Sequence, residues 1–260
     1  MQLTPEQVTP AHRALFPRSG HTWRRPFSVL DGTGGGRILT DDAVAPTWIA
    51  TADVSDDGTV FMAGTLSRDV VASIFDLQHR ERPFTICLPA DDPLLELLPP
   101  NPDYDGWDID FEDRDRAVDL ERLVVVPDGL QLVRIDEALI DRCQWTPWMA
   151  GSPELALRHG LGYALLDGER VVSEAFAGPV VENALELGVI TDDTYQRRGL
   201  ATVVSARTIL ECERLGHETW WNTATTNTGS ARLARKLGYQ TERQYRVLSW
   251  AVALGGGTRD

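Results

Sequence analysis

Cysteine is scarce in this sequence. The 260 residues include only Cys87, Cys143 and Cys212, which lie far apart and are odd in number. This pattern argues against a disulfide framework and is typical of a chain that works in a reducing compartment. We therefore expect a cytoplasmic protein.

Long apolar runs and positive charge are scarce too. No stretch approaches the roughly 20 apolar residues of a membrane span, and the first residues lack the pattern of a secretion signal. Lys and Arg number 25 against 39 Asp and Glu, which gives a net charge of -14. This charge disfavours nucleic acid and anionic membranes as partners, and it suits a cationic one such as an amine. The five histidines show no ligand spacing, so we predict no metal site.

Strand and helix patterns are mixed along the whole chain, which predicts an α/β (α+β) protein. We divide it into a smaller α/β domain, residues 1–128, and a second domain, residues 129–260. Residues 56–58 read as a hairpin turn, and 255–260 as a loose tail. Residues 31–37 are glycine-rich but fit neither the dinucleotide fingerprint nor a P-loop, so we interpret them as a turn. Strict alternation over residues 107–112 predicts a strand with Asp108, Asp110 and Glu112 on one solvated face.

The most informative stretch runs from Leu185 to Tyr239. An apolar strand over residues 185–191 leads through a glycine-containing turn, residues 196–202, into a helix; a short strand and a second helix follow. Unpaired backbone N–H groups and the positive end of the dipole make such a helix start a site for phosphate. Gly199 lets a ligand approach the backbone, and Arg197 and Arg198 add positive charge. The alternative is a plain strand–helix turn with two solvated arginines.

Two motifs in this stretch resemble the GNAT superfamily of acyl-CoA-dependent N-acyltransferases. Their matching positions are Gln196, Gly199 and Ala201, then Asn227, Ser230, Leu233, Lys236, Leu237, Gly238 and Tyr239. The resemblance implies a C-terminal GNAT fold, a mixed and mostly antiparallel sheet flanked by helices. The whole chain is similar to two-part GNAT acetyltransferases that include zwittermicin-type self-resistance enzymes. The first domain could then be a degenerate GNAT-like half, although the sequence shows no repeat.

The resemblance also implies acetyl-CoA as cosubstrate. The pantetheine arm would pair with the strand backbone at Val189, Ile190 and Thr191 and would contact Asn227 and Ser230. Asn227 also suits a helix cap. The phosphates would bind the turn, whose members are Gln196, Arg197, Arg198, Gly199, Leu200, Ala201 and Thr202.

For the catalytic base, the resemblance points to Glu186, with Glu182 as competitor. Glu186 lies opposite the apolar row of its strand. The alternative is a carboxylate that pairs with an arginine. Many family members carry a tyrosine where this chain has Ala234. The leaving thiolate could instead be protonated by Tyr239, Tyr245, Ser230 or water, or could leave unprotonated.

Trp145 and Trp148 lie in the loop that often walls the acceptor pocket of this fold, although a packing role is the alternative. The predicted activity is transfer of an acetyl group from acetyl-CoA to a primary amine, on a small molecule such as an amino-antibiotic or metabolite. The alternatives are a protein or peptide N-acetyltransferase and a non-catalytic acyl-CoA-binding sensor. The protein would act as a monomer or homodimer.

Overall fold

In this computed structural model the described residues are 1–17, 24–53, 58–79 and 82–251. The side chain of Trp148 lies outside this description, as do most of the predicted turn at 56–58 and the predicted tail at 255–260. The strands are β1 Gln2–Leu3, β2 Gly36–Thr40, β3 Trp48–Asp53, β4 Thr59–Gly64, β5 Phe84–Leu88, β6 Tyr104–Phe111, β7 Leu130–Arg134, β8 Leu161–Asp167, β9 Arg170–Val181, β10 Ala184–Thr191, β11 Glu218–Ala224 and β12 Glu242–Trp250.

The helices are α1 Pro10–Leu15, α2 Arg25–Asp31, α3 Arg68–His79, α4 Thr146–Ala150, α5 Pro153–His159, α6 Leu200–Arg214 and α7 Thr228–Lys236. Short 3-10 turns occur at Pro5–Gln7, Pro93–Glu96, Glu121–Leu123, Ile140–Arg142 and Asp193–Tyr195. Among the described residues, no helix has both the length and the apolar character needed to cross a lipid bilayer.

All of the strands belong to one sheet, in the order β1-β2-β3-β4-β5-β12-β6-β11-β10-β9-β8-β7. Two neighbouring pairs are parallel, β4 with β5 and β10 with β11, and the others are antiparallel. The confirmed fold class is therefore a mixed, mostly antiparallel sheet flanked by helices.

The two halves of the chain share one order of elements. In each half a helix (α3 or α6) connects the two parallel strands, as is usual for parallel neighbours. The last strand of each half then crosses over, so that β6 pairs with β11 and β12 pairs with β5. This order agrees with a degenerate second copy of the fold in the first half. The boundary at residue 128 stays a prediction.

Alternating side chains divide between the two faces of the sheet. One face packs against α3, α6 and α7, with Ile86, Ile109 and Trp221 in its core. The other face packs against α1 and α2 in the first half, and against α4 and α5 in the second. Between these two groups of helices the second face is open, and the candidate site lies there.

Candidate active site

A cavity of about 360 Å³ opens on this second face, between the two halves. Its wall includes Arg25 from α2, Asp53 from β3, Asp108 from β6, Glu186 from β10 and Asn222 from β11. The volume lies in the range of small-molecule sites in proteins. Because both halves contribute, neither half forms this cavity alone.

The cavity meets the sheet where β10 and β11 separate. Their parallel pairing runs from Ala184 opposite Glu218 to Leu187 opposite Trp221, and it ends there. Beyond that point β10 pairs with β9 and β11 pairs with β6. The inner edge of β10 from Gly188 onward therefore faces a gap, where its backbone can pair with an extended ligand.

The end of β10 contains the three predicted pantetheine contacts. Val189 lines the cavity. The Ser173 hydroxyl lies 3.2 Å from the Ile190 carbonyl oxygen, to which it donates, and 2.8 Å from the Thr191 hydroxyl. These contacts fix the strand to β9 while its other edge faces the gap.

The turn at residues 196–202 connects this strand to α6. Gly199 has a φ of 82°, which favours glycine, and nothing lies within 4 Å of the position a Cβ would take. No side chain of the described residues caps the N-terminus of α6. The helix start is therefore open to a ligand that accepts hydrogen bonds, as the phosphate prediction requires.

Side chains around the turn add positive charge and rigidity. Gln196 donates from Nε2 to Asp193 Oδ1 at 2.7 Å, and the guanidinium of Arg198 lies 5.1 Å from the ring centre of Tyr195. Arg197 has a φ of 60°. Lys236 Nζ donates to Thr202 Oγ1 at 3.3 Å. Lys236 is exposed in the last turn of α7, and this contact brings its ammonium group to the first turn of α6.

Leu200 and Ala201 take part in the turn through their backbone. The Leu200 side chain is buried in the core beneath α6, and Ala201 is half-buried. The small Ala201 side chain leaves the backbone accessible.

Asn227 and Ser230 line the cavity at the start of α7. Asn227 Oδ1 accepts a hydrogen bond from Ser230 N at 3.1 Å, so the predicted helix cap is confirmed. Ser230 Oγ accepts from the Trp221 indole Nε1 at 2.9 Å. The hydroxyl hydrogen of Ser230 can therefore be donated to a ligand in the cavity.

Glu186 lies on the cavity face of β10, and Leu185, Leu187 and Val189 pack in the core on the opposite face. Its carboxylate forms a salt bridge with Arg25, in which Arg25 Nε donates to Oε2 at 2.8 Å and Nη2 donates to Oε1. The sequence had offered an arginine pair as the alternative to a catalytic role. The structure shows both the pair and the cavity position.

Two other predicted residues, and the alanine that stands in place of the family's tyrosine, lie away from the cavity wall. Glu182 is exposed in the turn between β9 and β10. Tyr239 is buried in the core on the α6 and α7 face, with its hydroxyl 2.6 Å from Thr219 Oγ1, and burial raises its pKa. Ala234 is buried in the same core. This placement does not support catalytic roles for Glu182 or Tyr239, because neither reaches the gap.

Trp145 lies over the gap, where a Cβ added at Gly188 would clash with its indole ring and would lie 2.6 Å from Met149 Sδ. Its loop is held by the buried carboxylate of Glu174, which accepts from the backbone N of Gln144 and of Trp145, each at 2.6 Å. Trp148 follows in α4. Trp145 therefore lines the cavity, and its part in binding the acceptor stays a prediction.

The solvated face predicted for β6 is wrong. Asp110 is fully buried and accepts from Asn222 Nδ2 at 3.0 Å, and Asp108 lines the cavity. Alternation shows which side chains share a face, but it cannot show that another part of the chain covers that face. Within the described ranges, no group of three or more His, Cys, Asp or Glu is arranged to hold a metal ion.

Tyr245 belongs to the same buried polar region. Asn222 Nδ2 donates to its hydroxyl. Burial, followed by the Asp110 carboxylate, raises the pKa of Tyr245 well above its ordinary value. The phenol therefore stays neutral beside the cavity.

Comparison with known proteins gives one consistent result. A family model described as GNAT acetyltransferase matches residues 21–248. The uncharacterized N-acetyltransferase YdfB of Bacillus subtilis (strain 168) is 28% identical over an alignment of 240 positions, which covers 85% of this chain and 88% of that protein. A GCN5-related N-acetyltransferase-like protein from Streptococcus suis 89/1591 superposes with a TM-score of 0.71 at 25% identity, over 95% of this chain and 99% of that one.

A tandem GNAT protein from the clavulanic acid biosynthesis pathway has the same fold. Its TM-score is 0.57 at 11% identity, over 97% of this chain and 96% of that chain. At this identity the similarity concerns the fold alone. It agrees with the repeated order of elements in the two halves.

Proposed function

The chain belongs to the GNAT acetyltransferase family, and on that premise we propose that it transfers an acetyl group from acetyl-CoA to a primary amine of a small molecule. The observation that carries this proposal is the gap between β10 and β11, which opens directly into a cavity walled by both halves. A substrate walled in by both halves would be a small molecule rather than a protein tail. The similarity to zwittermicin-type enzymes favours an amino-antibiotic.

The residues present fit acetyl-CoA. The free inner edge of β10 at Val189–Thr191 would pair with the pantetheine arm, and Asn227 would contact the arm from α7. The uncapped start of α6, with Gly199, would hold the phosphates. Arg197, Arg198 and Lys236 would supply the positive charge that an acidic protein must provide for an anionic ligand. Acetyl-CoA itself would supply an activated acetyl thioester.

The charge of the cavity suits a cationic acceptor. The lining includes three carboxylates, from Asp53, Asp108 and Glu186, against the guanidinium of Arg25. Opposite charge favours binding of an ammonium group. An amine must lose a proton before it attacks, and the Glu186 carboxylate would accept that proton directly or through water. The Ser230 hydroxyl would donate a hydrogen bond to the leaving thiolate, and the backbone N–H near Val189 would polarise the carbonyl.

We also place the enzyme in a reducing compartment, the cytoplasm. Cys87, Cys143 and Cys212 are free thiols, and all three are buried. Burial raises the pKa of Cys212 to about 12, so this thiol stays protonated and unreactive.

The proposal is tested by thiol release from acetyl-CoA in the presence of a panel of amines. We expect turnover with small primary amines, and stronger turnover with those that carry a second cationic group. Binding of acetyl-CoA without turnover on any amine would instead favour the acyl-CoA sensor.

Asp108→Asn should raise the KM for the amine by about 10-fold or more, because it removes a charge-assisted hydrogen bond. The KM for acetyl-CoA should not change, since β10 and the turn are untouched. Asp105→Asn is the matched control. Asp105 lies three residues earlier, on the opposite face of the same strand, where it pairs with Arg246. Equal effects of the two substitutions would contradict an acceptor site at Asp108.

A further inference from the structure

The first half of the chain places one side chain directly on the proposed catalytic residue. We propose that Arg25 is a positioning residue, which holds the Glu186 carboxylate in the orientation that serves the acceptor amine. This inference rests on the proposed function. It assigns to the first half a part in catalysis, beyond walling the cavity.

The salt bridge between the two side chains is bidentate. Arg25 Nε and Nη2 donate to the two different oxygens of the Glu186 carboxylate. The side chains are 24% and 17% exposed, so water competes weakly for these hydrogen bonds. A two-point contact with a planar guanidinium fixes the rotation of a carboxylate, which a single hydrogen bond does not. The orientation of Glu186 in the cavity is therefore set by Arg25.

Arg25 is itself held from a second side. Its guanidinium carbon lies 5.6 Å from the ring centre of Trp220, which is buried on the same face of the sheet. Burial alone would lower the pKa of Arg25, but the charge of the Glu186 carboxylate and its hydrogen bonds to the guanidinium raise that pKa well above its ordinary value. The guanidinium therefore stays charged in the cavity wall.

Helix α2 delivers Arg25 to this place. Phe27, Val29 and Leu30 are buried in the core of the first half. The helix ends at Gly32, which has a φ of 70°, and the Thr33 hydroxyl then donates to the Val180 carbonyl oxygen on β9 at 3.3 Å. The helix is thus attached to both halves. Through it, the salt bridge joins two residues, Arg25 and Glu186, that are 161 positions apart in the sequence.

Electrostatics give a second reason for the arrangement. Among the described residues that line the cavity, Arg25 carries the one cationic side chain. Without it, Glu186 would share the cavity with Asp53 and Asp108, and mutual repulsion would turn these carboxylates apart. An Arg25→Lys variant retains the positive charge but cannot donate from a planar guanidinium to both carboxylate oxygens. It therefore separates the effect of charge from that of geometry.

The test is a double-mutant cycle between Arg25 and Glu186, measured as kcat in the acetyl-transfer assay. Arg25→Met should lower kcat by about 10-fold or more in the wild-type background, since small misplacements of a reacting group cost this much or more. In the Glu186→Gln background it should lower kcat by less than about 3-fold, because the carboxylate that it positions is gone. Arg25→Lys should also lower kcat. If Arg25→Met fails to fold, the kcat of Arg25→Lys is used in the cycle instead.

Arg114→Met is the control for a purely structural loss. Arg114 forms a similar salt bridge with Glu213, with side chains 6% and 22% exposed, away from the cavity wall. Arg114→Met should change kcat by less than about 3-fold relative to its parent, in both the wild-type and the Glu186→Gln background. Equal factors for Arg25→Met in the two backgrounds, or unchanged kcat in both Arg25 variants, would overturn the positioning role alone. Absence of turnover in wild type that binds acetyl-CoA would overturn the acetyltransferase proposal together with it.

Discussion

Gly199→Glu is expected to abolish the thermal stabilisation that acetyl-CoA gives to the wild type. At about 100 times its Kd, a ligand stabilises the folded state by about 2.7 kcal/mol, which for a chain of this size raises Tm by roughly 5–10 °C. The glutamate places a negative charge at the start of α6, where we propose that the phosphates bind. Repulsion and loss of close approach should then prevent binding.

The same helix offers a matched control. Gly216 follows the C-terminal end of α6 with a φ of 84°, and nothing lies within 4 Å of its Cβ position. Gly199 has a φ of 82° and the same open surroundings. Glutamate at either position therefore meets similar backbone strain, of order 1–2 kcal/mol. Gly216→Glu should melt lower than wild type but keep the full acetyl-CoA shift. A shift retained in Gly199→Glu would place the cosubstrate elsewhere.

Glu186→Gln is expected to lower kcat by about 100-fold or more, because proton transfer by a positioned base contributes 10²–10⁴-fold. The substitution preserves shape and one acceptor for Arg25, so it removes mainly the charge and the basicity. Acetyl-CoA should bind as before, because the backbone edge at Gly188–Thr191 does not depend on this side chain. The measurements are initial rates of thiol release and acetyl-CoA titration.

Glu213→Gln is the control for that experiment. Glu213 is the partner of Arg114 in the salt bridge outside the cavity. Glu213→Gln therefore shows how much kcat changes when a salt bridge of this kind is broken. Its kcat should stay near the wild-type value. Wild-type kcat in Glu186→Gln would leave Glu186 as the arginine partner alone and would make Asp108 the next candidate for the base.

Local patterns in the second half were sufficient to predict the elements that frame the candidate site. The strand before the turn, the helix cap at Asn227 and the face of Glu186 all follow from short-range periodicity and residue type, and the structure confirms them. These features depend on neighbours close in sequence, which is why the sequence reveals them.

The first half could not be predicted to the same depth. Helix α2 has seven residues, and its stability comes from tertiary packing of Phe27, Val29 and Leu30 rather than from propensity. Its position beside β10, and so the pairing of Arg25 with Glu186, depends on long-range contacts. The crossing of β6 and β12 between the halves has the same origin, and it explains why Asp110 is buried.

Hydrogen–deuterium exchange of the wild type with and without acetyl-CoA tests most directly whether the gap between β10 and β11 holds the cosubstrate. We expect slower exchange at Gly188–Thr191 and at residues 199–202, since backbone N–H groups there would gain partners in the ligand. Exchange in β7 and β8, at the far edge of the sheet, should not change. Protection confined to other segments, or no protection at saturating acetyl-CoA, would contradict the claim that the gap between β10 and β11 holds the cosubstrate.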